Sequence, residues 1–212
     1  MSAPKKHHDV PRFFLKGFVP PDSESDQLFV LDKSTGKQWQ AGLNDAGCEN
    51  HFYVLELDDE GDPFALEKAL SQIESDGAEA LRAVKVEKRI PRGELLTKLM
   101  GFLGLMAVRG PSVLDAIEKP LAQIFKSMLC RATDSQDSWN EVVEDLKKNG
   151  QDISDVSWEE MRRFVRSDDC TITMGQNWKM SSLLEMIPIA THLLAKRIWS
   201  VVDVPCPCGK PV

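Results

Sequence analysis

The chain has 212 residues, of which 42% are hydrophobic and 28% charged, and a formal net charge of −7. That length suits one globular domain, or one with a helical extension, and supplies a core of useful size. The negative balance argues against broad sequence-independent nucleic-acid binding and leaves only a local basic patch for such a contact.

The opening residues 1–6 are polar with no apolar run behind them, so no signal peptide is expected. The longest apolar run, 99–108, is about half of the ~20 residues a membrane span requires, so no membrane association is expected. Cysteines at 48, 130, 170, 206 and 208 are odd in number and mostly scattered. They fit a reducing cytoplasm better than a disulfide scaffold.

The densest stretch is His7-His8-Asp9-Val10-Pro11-Arg12-Phe13-Phe14-Leu15-Lys16-Gly17-Phe18-Val19. Pro11 restricts the preceding residues toward extended geometry. Phe14 and Phe18, four apart, would be buried on one side of a short helical element, with Arg12 and Lys16 on another. His7, His8 and Asp9 are candidate ligands for a divalent metal. The plainer reading is an arm whose aromatics plug the core beside idle, exposed histidines, since adjacent side chains rarely converge on one ion.

A strand is predicted over 28–32, a turn over 33–36 and a returning strand from 37, making a hairpin. A third strand is predicted over 51–57, around the single tyrosine, Tyr53. The acidic turn 58–63 lacks the ligand spacing of a calcium loop. From Phe64 the period becomes helical, with Leu66, Leu70, Ile73, Gly77, Leu81 and Val84 on one stripe. Glu67 and Glu74 stack at the edge of that stripe, roughly 60° from its centre. There they are either a carboxylate pair flanking a cleft or ordinary exposed acids.

Lys85, Lys88, Arg89 and Arg92 form the most basic run, interrupted by Pro91. It is a phosphate-contacting edge or the solvated end of one helix and start of the next. Residues 94–109 read as the most buried helix, and Gly101 and Gly104 within it could admit another backbone. Arg109 ends that helix as a dipole partner or cap, or as a fixed anion-binding group in a pocket. Ser112-x-x-Asp115 predicts the next helix start, and Pro120 is expected to kink or divide that helix. Its apolar residues Leu114, Ile117, Leu121, Ile124 and Met128 fit bundle packing. Trp139, Val142, Val143 and Leu146 predict a helix closed by Asn149-Gly150, and Ser157-x-x-Glu160 is a capping box. A strand is predicted over 170–174. Ser182-x-x-Glu185 is expected to begin the last helix, with Leu184, Ile187, Thr191, Leu194 and Ile198 on one side. His192, off that stripe, reads as structural. Cys206-x-Cys208 offers half a zinc site with no second pair following.

The pattern H-x-V-P-x-F-(F/Y)-L-x-x-F, filled by His8, Val10, Pro11, Phe13, Phe14, Leu15 and Phe18, resembles the opening of the bacterial family called domain of unknown function 4238. Residues 28–33, His51-Phe52-Tyr53, the acidic helix carrying Glu67 and Glu74, and Arg109-Gly110-Pro111 are similar to its later elements. The likeness spans the whole chain and is dense up to Pro111. It implies no activity, because the family has none established. The chain ends before that family's Ser-Asp-Asn-Pro-like segment, so a C-terminally short or truncated member is expected.

The expected architecture is α+β, a predominantly helical bundle with a small N-terminal antiparallel sheet. Residues 1–62 hold the arm and sheet, 63–200 the helices and 201–212 the Cys-x-Cys tail, together one globular domain. Two functions are open. In the first, a metal-dependent hydrolase acts on a phosphodiester or nucleic acid: His8, Glu67, Glu74 and Arg109 are its catalytic candidates and His7, His8 and Asp9 its metal candidates. No Gly-rich phosphate loop or nucleophile elbow accompanies them. In the second, a non-enzymatic binding or regulatory module uses the N-terminal motif as a clasp. His8 would then bond Glu67 or Glu74, and the acidic surface would meet a protein partner.

Overall fold

The computed structural model describes residues 6–20, 26–50, 55, 62, 64–151, 153 and 155–202. They separate into two compact units, one from Met1–Pro111 with Gln176–Val212, the other Ser112–Gly175. The architecture is α+β and mostly helical, as expected, with antiparallel strand pairs near the N-terminus.

In the first unit, strand β1 (Lys6–His8) pairs antiparallel with a later strand, Cys48–Asn50, which places His8 opposite Cys48. A short helix α1 (Arg12–Leu15) follows buried Pro11 and runs into a 3-10 turn, Lys16–Phe18. Strands β2 (Gln27–Leu31) and β3 (Gln38–Gly42) form the predicted hairpin, with Leu28 opposite Ala41 and Val30 opposite Trp39. Its turn is held by Asp32, whose carboxylate accepts from the Ser34 hydroxyl at 2.6 Å and the Thr35 hydroxyl at 2.7 Å. Those bonds pull its pKa down to about 2. Cys48–Asn50 is β4; the strand predicted over 51–57 lies almost wholly outside the described residues. So do the acidic turn, apart from Asp62, and the Cys-x-Cys tail.

Three helices make the body of this unit: α2 (Ala65–Glu87), α3 (Glu94–Val108) and, from the far end of the chain, a helix over Gln176–Ala195. The middle one, α3, packs against both others. It carries almost no polar residue, so only cover on two sides keeps it from water. Small residues set the spacing. A Cβ at Gly77 of α2 would run into the Phe102 ring of α3. A Cβ at Gly104 would lie 2.9 Å from the Thr191 backbone nitrogen on the Gln176–Ala195 helix, closer than real Cβ contacts come. Gly104 thus admits a neighbouring backbone as predicted, whereas Gly101 faces no atom within 4 Å. Among the described residues, no single helix is long and apolar enough to cross a membrane.

The second unit comprises α4 (Pro111–Ala132), α5 (Gln136–Lys148) and α6 (Trp158–Val165). The helix Gln176–Ala195 is therefore α7. Pro120 does not divide α4, which has enough turns on either side to tolerate one missing hydrogen bond. The predicted strand over 170–174 is irregular instead. Side chains of α4 replace a ladder there: Glu118 accepts from the Met174 amide at 2.8 Å, and Lys126 donates to the Cys170 carbonyl at 3.0 Å. The last helix begins six residues before Ser182. Its buried residues are Met180, Leu183 and Ile187, so Leu183 takes the core position expected of Leu184.

Ser157 caps α6 as predicted, while the reciprocal bond of the box is made by its hydroxyl and not by its backbone amide. Ser157 Oγ accepts from the Glu160 amide at 3.2 Å, and its hydroxyl donates back to the Glu160 carboxylate at 2.9 Å. Ser157→Ala should weaken α6 by about 1 kcal/mol. Amide exchange over 158–165 would rise accordingly, and unchanged exchange would deny the cap that role.

Candidate functional site

The elements around the N-terminal arm bring three parts of the chain to one polar centre. Gly47, at φ +56, turns the backbone so that its carbonyl accepts from both Asp9 N, at 2.7 Å, and Val10 N, at 3.3 Å. A left-handed φ of that kind suits glycine. The bend fixes His8 at the end of β1. Glu74 comes from α2. Arg109 comes from the end of α3, its amide bonded to the Leu105 carbonyl at 3.0 Å.

Arg109 joins them. Its Nη1 lies 2.7 Å from Glu74 Oε1, and its Nη2 donates to the His8 carbonyl oxygen. Arg109 is only 3% exposed, whereas the Glu74 side chain keeps 25% exposure. The planar fork suits two acceptors held at a fixed angle. The arm is thus tied to the helices through the His8 main chain, not through a bond from its imidazole to a glutamate. Glu67 lies partly buried, seven residues earlier on α2.

The imidazole sits close by. His8 Nδ1 is buried with no hydrogen-bond partner among the described residues. Burial pushes the His8 pKa below its ordinary value; a hydrogen bond to the Ala46 backbone opposes this. The Arg12 charge also lowers it, Glu74 raises it and Arg109 lowers it, in decreasing order. The sign for stability follows. The unfolded histidine, near 6.5, takes up a proton more readily than the folded one. Stability is complete above that pH and falls as pH drops through it toward the lower folded value. The urea midpoint should therefore decline between about pH 7.5 and about pH 5.5, and His8→Gln should flatten part of that decline. Parallel curves for the two proteins would show that His8 does not contribute.

The aromatic half of the motif packs beside this centre. The Phe13 ring lies 5.3 Å and the Phe14 ring 6.1 Å from that of fully buried Phe102. Phe14 and Phe18 are 5.6 Å apart, but Phe18 is 66% exposed and Phe14 only half-buried, so the expected joint burial is not reached. Four apart in sequence, they are separated by the change from α-helix to 3-10 turn, which rotates Phe18 outward. Between these rings and α2 runs a groove of about 270 Å³. Phe13, Phe14 and Phe18 line one wall, Ala78 and Leu81 the other, and Arg82 and Lys85 edge it.

Among the described residues, no group of three or more His, Cys, Asp or Glu side chains is placed to hold a metal ion. The His7 side chain lies outside the described residues. Residues 6–207 match the model of the family described as "Protein of unknown function (DUF4238)". The chain belongs to that family. No curated protein and no solved structure matches it. Membership of DUF4238 brings no assigned chemistry, so geometry has to carry any functional reading.

Of the residues expected from the sequence, His8, Glu74 and Arg109 come together, through the His8 main-chain oxygen and not its imidazole. The pairing of Phe102 with the arm is not expected from the sequence. The available signal was Gly77 on the apolar stripe of α2, a gap that an aromatic on a neighbouring helix could fill. Arg82 and the groove were missed altogether.

Proposed function

We propose that the protein is a non-enzymatic binding or regulatory module in which the His-x-Val-Pro motif is a structural clasp. One observation carries this reading: the Arg109 guanidinium is nearly sealed from solvent and is engaged by both Glu74 and the His8 carbonyl. A group held in this way fixes the arm to the helices. The metal-dependent hydrolase of phosphodiesters, with His8, Glu67, Glu74 and Arg109 as its catalytic set and His7, His8 and Asp9 around an ion, asks more of the same residues. Arg109 would have to leave Glu74 and the His8 carbonyl and, at 3% exposure, reach a phosphate. The cysteine usage supports a reducing compartment, the cytoplasm, as its setting.

The test combines metal titration with proteolysis. Melting should be indifferent to manganese, magnesium and EDTA. In Glu74→Gln, which keeps the shape and removes the charge, trypsin should cut faster after exposed Arg12 and Lys16. A melting temperature that rises with metal, or an arm no more accessible in the variant, would overturn the clasp.

A further inference from the structure

The groove beside the clasp has a chemistry that the clasp does not use. Its walls are aromatic and aliphatic, and among the described residues its only charged lining residues are the two cations Arg82 and Lys85. They sit in a chain with a net charge of −7, so the positive edge runs against the general balance. Neighbouring acids are engaged elsewhere: Glu79 binds Lys98 at 2.7 Å and Glu87 binds Arg89 at 2.8 Å. Arg82 donates through Nε to the Ala78 carbonyl at 3.1 Å, which anchors its guanidinium along α2. A Cβ at Gly17 would lie 3.6 Å from Lys85 Nζ, an ordinary contact distance, which places the ammonium beside the arm at the groove edge. An apolar slot with a few convergent polar groups has the make-up of a small-ligand site.

We propose that this groove binds a small amphipathic carboxylate, its tail between Phe14, Phe18 and Leu81 and its carboxylate at Arg82 and Lys85. The proposal rests on the binding-module reading and names the ligand class that such a module takes. Tail and head make separate demands. The tail gains by removing apolar surface from water, so affinity tracks chain length until the groove is full. The head gains from two cations and therefore weakens with salt. The clasp supplies the rigidity: Phe13 and Phe14 form a wall only while the arm is tied down, and Phe102 is the surface they lean on.

Titration calorimetry of the full chain with sodium hexanoate and sodium octanoate tests this. Octanoate should bind one to one and about fifteenfold tighter than hexanoate, roughly fourfold per methylene. Octylammonium, with the same tail and the opposite charge, should not compete. The double variant Arg82→Glu/Lys85→Glu, at exposed positions, should weaken octanoate about tenfold or more. Ala78→Phe should fill the groove and abolish binding without lowering the melting temperature. Failure of octanoate to bind, binding of several molecules per chain, or equal binding by these variants would overturn the proposal. Slow trypsin cleavage of the arm in the same wild-type sample separates the two ideas. A tied arm with no octanoate bound removes the ligand and leaves the clasp, whereas an untied arm removes both.

Discussion

Arg109→Ala should lower the unfolding free energy by about 3 kcal/mol. The loss has two sources. The Glu74 carboxylate, with its cation 2.7 Å away removed, stays partly buried without compensation. The His8 carbonyl loses its donor as well. An exposed ion pair would contribute about 0–1 kcal/mol, and Arg109 at 3% exposure does not belong to that class. The 25% access that water keeps to Glu74 holds the effect to the lower end of the buried range. Two further variants separate charge from geometry. Arg109→Lys keeps the charge but offers no fork for two diverging acceptors, so it should recover only part of the loss. Arg109→Met with Glu74→Leu removes the Glu74 carboxylate together with its cation and should be more stable than Arg109→Ala. Urea unfolding measures all of them, and a loss under about 0.5 kcal/mol for Arg109→Ala would sink the clasp.

Phe102→Ala should cost about 4 kcal/mol, the larger of the two effects. Phe102 has no exposed surface, and it meets both the arm and α2. The Phe13 and Phe14 rings lean on it from the arm, and Gly77 makes room for it on α2. No neighbour can move in to fill the space without pulling one of these elements out of place. The same substitution should loosen the arm, seen as faster exchange of the Phe14 and Leu15 amides that bond to the Pro11 carbonyl. A loss below about 2 kcal/mol, with the arm still protected, would mean that the site collapses without harm.

The parts of the fold that could be read in advance are those governed by local rules. Helical periodicity located α2 and α3, and the turn residues of 33–36 located the hairpin. The Ser157 cap is local in the same way, because donor and acceptor are three residues apart. The misreadings share another cause. Residues 170–174 have strand-like composition, but what shapes them is distant Lys126 and Glu118, whose side chains satisfy the backbone before any strand could. Ser182-x-x-Glu185 has the spacing of a cap, yet lies inside α7 because Met180 is already buried there. At the polar centre, residue types alone favoured an imidazole–carboxylate bond. The contact that formed uses a main-chain oxygen, which every residue possesses and no motif can mark.

The first unit is discontinuous: α3 is followed by 112–175 before α7 returns to pack against it. During synthesis, α3 is complete while its second cover is still unmade, at least 68 residues later by the distance from Val108 to Gln176. At about 5–20 residues per second, that leaves several seconds in which a nearly all-apolar helix has only one neighbour. The nascent chain is therefore most prone to stick to other chains between the emergence of α3 and that of α7, and ribosome-bound fragments in which 176–195 has not emerged should engage chaperones more strongly than those in which it has.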